Sequence, residues 1–260
     1  GHRLTTLKGN QLMPAISLKR DQVAFISDVV GNPDLFILPF DPEKGATAKP
    51  HQIFSARKAT QGSPTFSPDG KQIAFVSNKS GSPKIYLIDI PKAGASLKNI
   101  EARLISKRNR ENSAPAWSPD GKKIAFTSGR SGRGAPQIYI MDSHHGDKSG
   151  VQRISFGSSY NDNPAWSPNG DKIAYTARVG RRFQIKVYDL VTKTSTVLTR
   201  ERGNNEQPTW SPDGRFIAYR HKEGSFMSTY IQRLGSDKTR QLSFGNASGA
   251  SPSWSPYLNR

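Results

Sequence analysis

Histidine and serine are the residues here whose spacing could mark metal or covalent chemistry, and it supports little of it. Five histidines occur: His2, His51, His144, His145 and His221. His144 and His145 sit side by side in a Gly/Asp/Lys loop with no third ligand at metal-site spacing, so the pair reads as solvated. Cysteine is absent, which removes thiolate metal sites, a cysteine nucleophile and disulfides. No G-x-S-x-G elbow occurs, so no serine-hydrolase site is encoded. One carboxylate does recur, as Asp69, Asp120 and Asp213, with Asn169 in the same place. Recurrence within Ser-Pro-Asp-Gly marks a turn residue rather than an acid–base pair. The sequence predicts no catalytic residue, no cofactor and no metal site. What remains is binding. Against 20 Asp and Glu stand 38 Lys and Arg, a net charge of +18, which favours acidic partners or an anionic neighbourhood. Nucleic acid is not the expected partner: there is no finger spacing, aromatic-rich RNA-binding strand or basic helix, and the bases are spread over many loops.

The elements that carry these loops are repeats. Residues 114–126 read APAWSPDGKKIAF. Near-copies start at Ser63, Asn163 and Gln207, a weaker one at Met13, and SPSWSPYL follows from Ser251. The repeat prolines, Pro14, Pro64, Pro115, Pro164, Pro208 and Pro252, lie 50, 51, 49, 44 and 44 residues apart. Strand-rich units at such a period signal a β-propeller. Within a unit, a short apolar run meets a Ser-Pro-Asp-Gly type I turn, then Ile-Ala-Phe as a second strand. A Gly/Ser loop, a third strand such as Ile138-Tyr139-Ile140-Met141 and a fourth such as Arg153-Ile154-Ser155 complete a blade. Small Ala74, Ala125, Ala174 and Ala218 alternate with large Phe75, Phe126, Tyr175 and Tyr219, as expected of a sheet covered on both faces. Phe66, Trp117, Trp166, Trp210 and Trp254 hold one position of the innermost strand and read as core rather than as a ligand platform.

The predicted fold class is all-β: a six-bladed β-propeller of four-stranded blades, spanning residues 1–260 as one domain. Five blades are complete, at residues 13–56, 63–106, 114–156, 163–199 and 207–244. Blade one departs from the repeat, with Ile16 for the aromatic and Leu18-Lys19-Arg20-Asp21 for the turn. Residues 251–260 supply the first strand of a sixth blade and residues 1–9 its last. Its two middle strands are missing, so the natural protein is expected to continue upstream of Gly1. No apolar run reaches 18 residues, so no membrane span is expected.

Strand alternation places the connections that enter each innermost strand on one face, the mouth. The expected partner-binding residues there are Thr60, Gln61, Ser63, Asn112, Ser113, Asn161, Asp162, Asn163, Asn205, Glu206, Gln207, Ser248 and Ser251. Basic loops containing Arg108 and Arg181 surround them, positioned to steer an acidic surface.

On the WSPDG series and the terminal SPSWSPYL, the chain resembles the propeller domain of the TolB family, part of the Tol–Pal cell-envelope system of Gram-negative bacteria. The resemblance implies a non-enzymatic periplasmic scaffold for protein–protein interaction. It implies binding of the lipoprotein Pal at the propeller mouth, and of TolA through an N-terminal α/β region upstream of Gly1. It also implies a part in outer-membrane integrity and cell division, with membrane association only through partners. WSPDG repeats also occur in oligopeptidases, so the alternative is the regulatory propeller of a serine oligopeptidase separated from its hydrolase domain.

Overall fold

The computed structural model describes residues 4–19, 21–91, 100–107, 110–131, 134–243 and 252–254, and these contain strands and turns but no helix. Two compact units are present, residues 1–117 with 142–150 and residues 118–141 with 151–260. Blade one comprises β1 (Gln11–Ile16), β2 (Gln22–Ser27), β3 (Asp34–Asp41), a short β4 (Gly45–Ala46) and β5 (His51–Phe54). Blade two comprises β6 (Gln61–Phe66), β7 (Gln72–Ser77), β8 (Lys84–Asp89) and β9 (Arg103–Leu104). Blade three comprises β10 (Asn112–Trp117), β11 (Lys123–Ser128), β12 (Gln137–Asp142) and β13 (Gly146–Arg153). Blade four comprises β14 (Asn161–Trp166), β15 (Lys172–Val179), β16 (Arg182–Asp189) and β17 (Ser195–Val197). Blade five comprises β18 (Asn204–Trp210), β19 (Phe216–Glu223), β20 (Phe226–Arg233) and β21 (Thr239–Gln241). Each sheet is a meander in sequence order; in blade one β5 pairs with β3 beside the β3–β4 hairpin. The described residues form five blades of a β-propeller.

The alternation of small and large residues has a packing reason. In the first unit, Ala24 of blade one shares a cluster with Phe75, Ile73 and Tyr86 of blade two. In the second unit, Ala125 clusters with Tyr175, and Ala174 with Tyr219 and Trp210. The alanine of one blade thus leaves room for the aromatic of the next. Phe75, Phe126, Tyr175 and Tyr219 are all fully buried. The innermost-strand tryptophans add a polar tie. Trp117 Nε1 donates to Thr65 O at 3.3 Å and Trp210 Nε1 to Ala165 O at 3.0 Å, each 45 to 52 residues back. Trp210 is buried, whereas Trp117 and Trp166 are half-buried.

Every blade closes its first hairpin on a serine–aspartate pair. Ser67, Ser118 and Ser211 donate to Asp69, Asp120 and Asp213 of the same turn. The amides of Gly70, Gly121 and Gly214 bond to the serine carbonyl at 2.9 Å. Each of these glycines has φ near +70°, a conformation that favours a residue without Cβ. Blade four uses Asp171 in place of Asn169, with Ser167 Oγ to Asp171 Oδ1 at 2.8 Å. Blade one does the same with Ser17 and Asp21 at 2.7 Å. Its turn therefore departs in spelling but keeps the pair, with the carboxylate two residues later.

These bonds hold the carboxyls of Asp69, Asp120 and Asp213 below the usual 3.8, the serine hydroxyl being the largest cause in each. A depressed folded value gives stability that is complete above pH 3.8 and is lost as pH falls through the folded values. The urea midpoint should therefore drop on acidification below pH 4. Replacing both Asp120 and Asp213 with Asn should flatten that limb; an unchanged limb would assign acid sensitivity elsewhere.

The sixth blade does not emerge from the described residues. Leu4 and Leu7 pack against Val23, Phe25, Phe36 and Leu38 of blade one, and residues 4–10 form no strand. Residues 252–254 form no strand, and residues 1–3, 251 and 255–260, where the rest of that blade was expected, lie outside the described residues.

Candidate protein-binding face

The inner strand of each blade enters through an unusual backbone. The residue before the repeat proline has positive φ in all five blades: Met13 (52°), Ser63 (48°), Ala114 (46°), Asn163 (52°) and Gln207 (57°). Proline disfavours the right-handed helical region for its predecessor, and the left-handed alternative is costly for a residue with Cβ. The register against the second strand shifts at the same place, between Leu12/Ala15, Gly62/Thr65, Asp162/Ala165 and Glu206/Thr209. A bulge of this kind re-aims side chains. Here it falls after the second residue of the strand entry and takes the third, the residue before the proline, out of the regular ladder, while the first and second point to opposite faces by ordinary strand alternation.

The first residue goes inward. Gln61, Asn112, Asn161 and Asn205 are buried, the three asparagines completely. Asn161 Nδ2 donates to Gln137 Oε1 at 2.8 Å, and that oxygen also accepts from Ser155 Oγ and Arg153 Nη2, each at 2.8 Å. Asn205 Nδ2 donates to Gln184 Oε1 at 2.8 Å, beside Thr199 Oγ1 at 2.7 Å. Asn112 Nδ2 and Lys84 Nζ both donate to Arg110 O. The backbone repeats the tie: Gln61, Asn112 and Asn161 donate their amides to Pro33, Pro83 and Pro136, one residue ahead of the third strand of the preceding blade. These are latches between consecutive blades. The expectation that these four side chains line the partner surface is corrected by their burial. Sequence reasoning missed the latch partners, whose signals are a proline just before β3, β8 and β12 and a serine or threonine after the fourth strand (Ser106, Ser155, Thr199).

The second and third residues stay accessible. In the second unit, Asp162, Asn163, Glu206 and Gln207 are half-buried. Asp162 Oδ1 accepts from Thr127 Oγ1 and from the Asn163 amide, both at 2.7 Å, and Tyr160 donates its hydroxyl to Oδ2 at 3.2 Å. Burial, with Asp162 beside it, pushes the Tyr160 phenol up to about 12. Glu206 pairs with Arg220, and the Gln207 amide donates to Thr176 Oγ1 at 3.0 Å. Asn161 pairs with Ala177 and Val179 with Arg182, so the β15–β16 hairpin ends on the face where β14 begins. Its exposed Arg178, Arg181 and Arg182 edge the half-buried polar floor. In the first unit, Thr60 is exposed, Ser63 and Ser113 are half-buried, and the Ser63 amide meets Met13 Sδ at 3.1 Å. Arg108, Ser248 and Ser251 lie outside the described residues. His144 and His145 form an Asp142-capped turn in which both amides donate to Asp142 Oδ1.

The family model described as the TolB beta propeller domain matches residues 1–258. The chain belongs to that family. A TolB homologue of Protochlamydia amoebophila is 65% identical over 142 residues, which cover 55% of this chain and 30% of that protein. A TolB homologue of Chlamydia felis is 47% identical over 62 residues, 24% of this chain and 14% of that protein. The matched stretches thus span less than a third of these relatives. Among solved structures, TolB from Acinetobacter baumannii superposes with a TM-score of 0.67 at 28% identity, over 86% of this chain and 52% of that one. An oligogalacturonate lyase in complex with manganese (TM-score 0.65, 15% identity, 92% of this chain and 66% of that one) shares the fold alone.

Proposed function

We propose that this chain is the propeller of a non-enzymatic periplasmic scaffold of the Tol–Pal system. In this reading it binds the lipoprotein Pal, and the whole protein supports envelope integrity and division and engages TolA through a region beyond this propeller. The observation that carries the reading is the match to the TolB propeller family over residues 1–258. The half-buried polar floor of Asp162, Asn163 and Gln207, edged by Arg178, Arg181 and Arg182, supports a protein-binding role in the second unit. Thr60, Ser63 and Ser113 offer the corresponding surface of the first. The oligopeptidase alternative has only a fold-level likeness, to a puromycin-hydrolysing peptidase of Mycobacterium tuberculosis at 14% identity.

Exposed arginines act on encounter more than on residence. Replacing both Arg178 and Arg181 with Glu should lower the on-rate for the soluble domain of Pal by about tenfold at low salt and flatten its salt dependence, with little change in off-rate. Unchanged kinetics would move the partner to another face.

A further inference from the structure

The seam between blades one and two differs from the other latches. The latch position on the third strand is Gln137 in blade three, Gln184 in blade four and Lys84 in blade two, and each has donors or acceptors in reach. Blade one has Asp34 there, 1% exposed, and Gln61, which opens the next blade, is 6% exposed. The backbone juxtaposition is preserved, since the Gln61 amide donates to Pro33 O at 3.1 Å. The side chains do not close. Asp34 Oδ2 accepts from Gln52 Nε2 at 2.6 Å. Asp34 Oδ1 and both amide atoms, Oε1 and Nε2, of Gln61 are buried without a hydrogen-bond partner. In the Asn161 latch only one such atom, Asn161 Oδ1, is left over. Ser55 corresponds to Ser106, Ser155 and Thr199, but it is exposed rather than buried. Burial raises the Asp34 carboxyl pKa, the Ser55 hydroxyl and the Ala56 amide are near enough to lower it in part, and Oδ1 still lacks a hydrogen-bond partner. No ion pair to Asp34 forms among the described residues.

A buried carboxylate with no base beside it is costly, and unpaired buried acceptors add to that cost. In the next seam the same position carries its own positive charge, the Lys84 ammonium, bonded to Arg110 O at 2.5 Å. We propose that the Asp34–Gln61 seam is a binding site for a small hard cation, held by Asp34 Oδ1, Gln61 Oε1 and the nearby Ser55 hydroxyl, with water completing the shell. Oxygen-only donors with a single carboxylate suit calcium, magnesium or potassium rather than a transition metal. The ion would do for this seam what Lys84 does for the next. It would join blades one and two at a place set by the first unit alone.

The test is thermal unfolding of the chain in chelator-treated buffer, with calcium, magnesium or potassium chloride added at ionic strength matched by choline chloride. A cation that binds only the folded seam raises the midpoint with concentration. The wild-type midpoint should rise by a few degrees with at least one of these ions and saturate. Asp34→Asn should abolish the rise. The double variant Asp34→Gln with Gln61→Asn rebuilds the pair found in the later seams; it should be insensitive to the ions and more stable than wild type in their absence. A wild-type midpoint indifferent to all three ions would overturn the proposal in favour of water at the seam. An equal rise in Asp34→Asn would place the cation elsewhere. None of these outcomes depends on partner binding.

Discussion

Phe75→Ala should destabilise the chain by about 3–5 kcal/mol, the largest loss expected from any single substitution considered. The ring is fully buried and lies 4.9 Å from the Phe54 ring and 5.9 Å from the Tyr86 ring, centroid to centroid. It also fills the space left by Ala24 in the shared cluster of blades one and two. Removing it subtracts apolar burial and opens a cavity that two rigid sheets cannot close. Urea unfolding followed by tryptophan fluorescence would read the loss. A shift below about 1 kcal/mol would mean that the blades slide together to fill the space, contrary to the packing described.

Asn161→Ala should cost about 2–3 kcal/mol, because it takes a donor from the Gln137 oxygen and opens a fully buried latch. Partner kinetics of the folded variant should stay within about twofold of wild type, since a buried side chain does not reach a partner. The two readouts separate structure from recognition. A stable variant with a much faster off-rate would return Asn161 to the partner surface.

The contrast between Phe75 and Asn161 also shows which parts of the fold are legible in the sequence. Phe75 announces itself through local pattern: alanine before it, a turn glycine five residues earlier, and the same Ile-Ala-aromatic spelling 51, 100 and 144 residues on. The five described blades, their strand order and their turn chemistry follow from that pattern, because local rules fix them. Asn161 bonds to a residue 24 positions away, and Asn205 to one 21 away. No periodicity of 2 reveals such a pair, and a polar residue at a strand entry reads as surface until the side chain that meets it from the preceding blade is seen. The positive φ before the proline is itself hidden, since Met13, Ser63, Ala114 and Gln207 are not residues that advertise it. Asp21 is hidden more simply: a two-residue shift removes it from the Ser-Pro-Asp-Gly spelling while its bond to Ser17 survives.

The candidate face is legible in part for the same reason. Chain direction alone puts Asp162, Asn163, Glu206 and Gln207 beside the β15–β16 and β19–β20 hairpins, and they remain accessible. Which member of each entry is exposed depends on the backbone, and only the structure resolves it. The central claim, that this propeller is a protein-binding scaffold of the Tol–Pal type, is tested most directly by titrating the chain with the soluble domain of Pal in a calorimeter. The account predicts a saturable one-to-one complex that weakens as salt rises; absence of any heat of binding at either salt, with the chain folded, would contradict it.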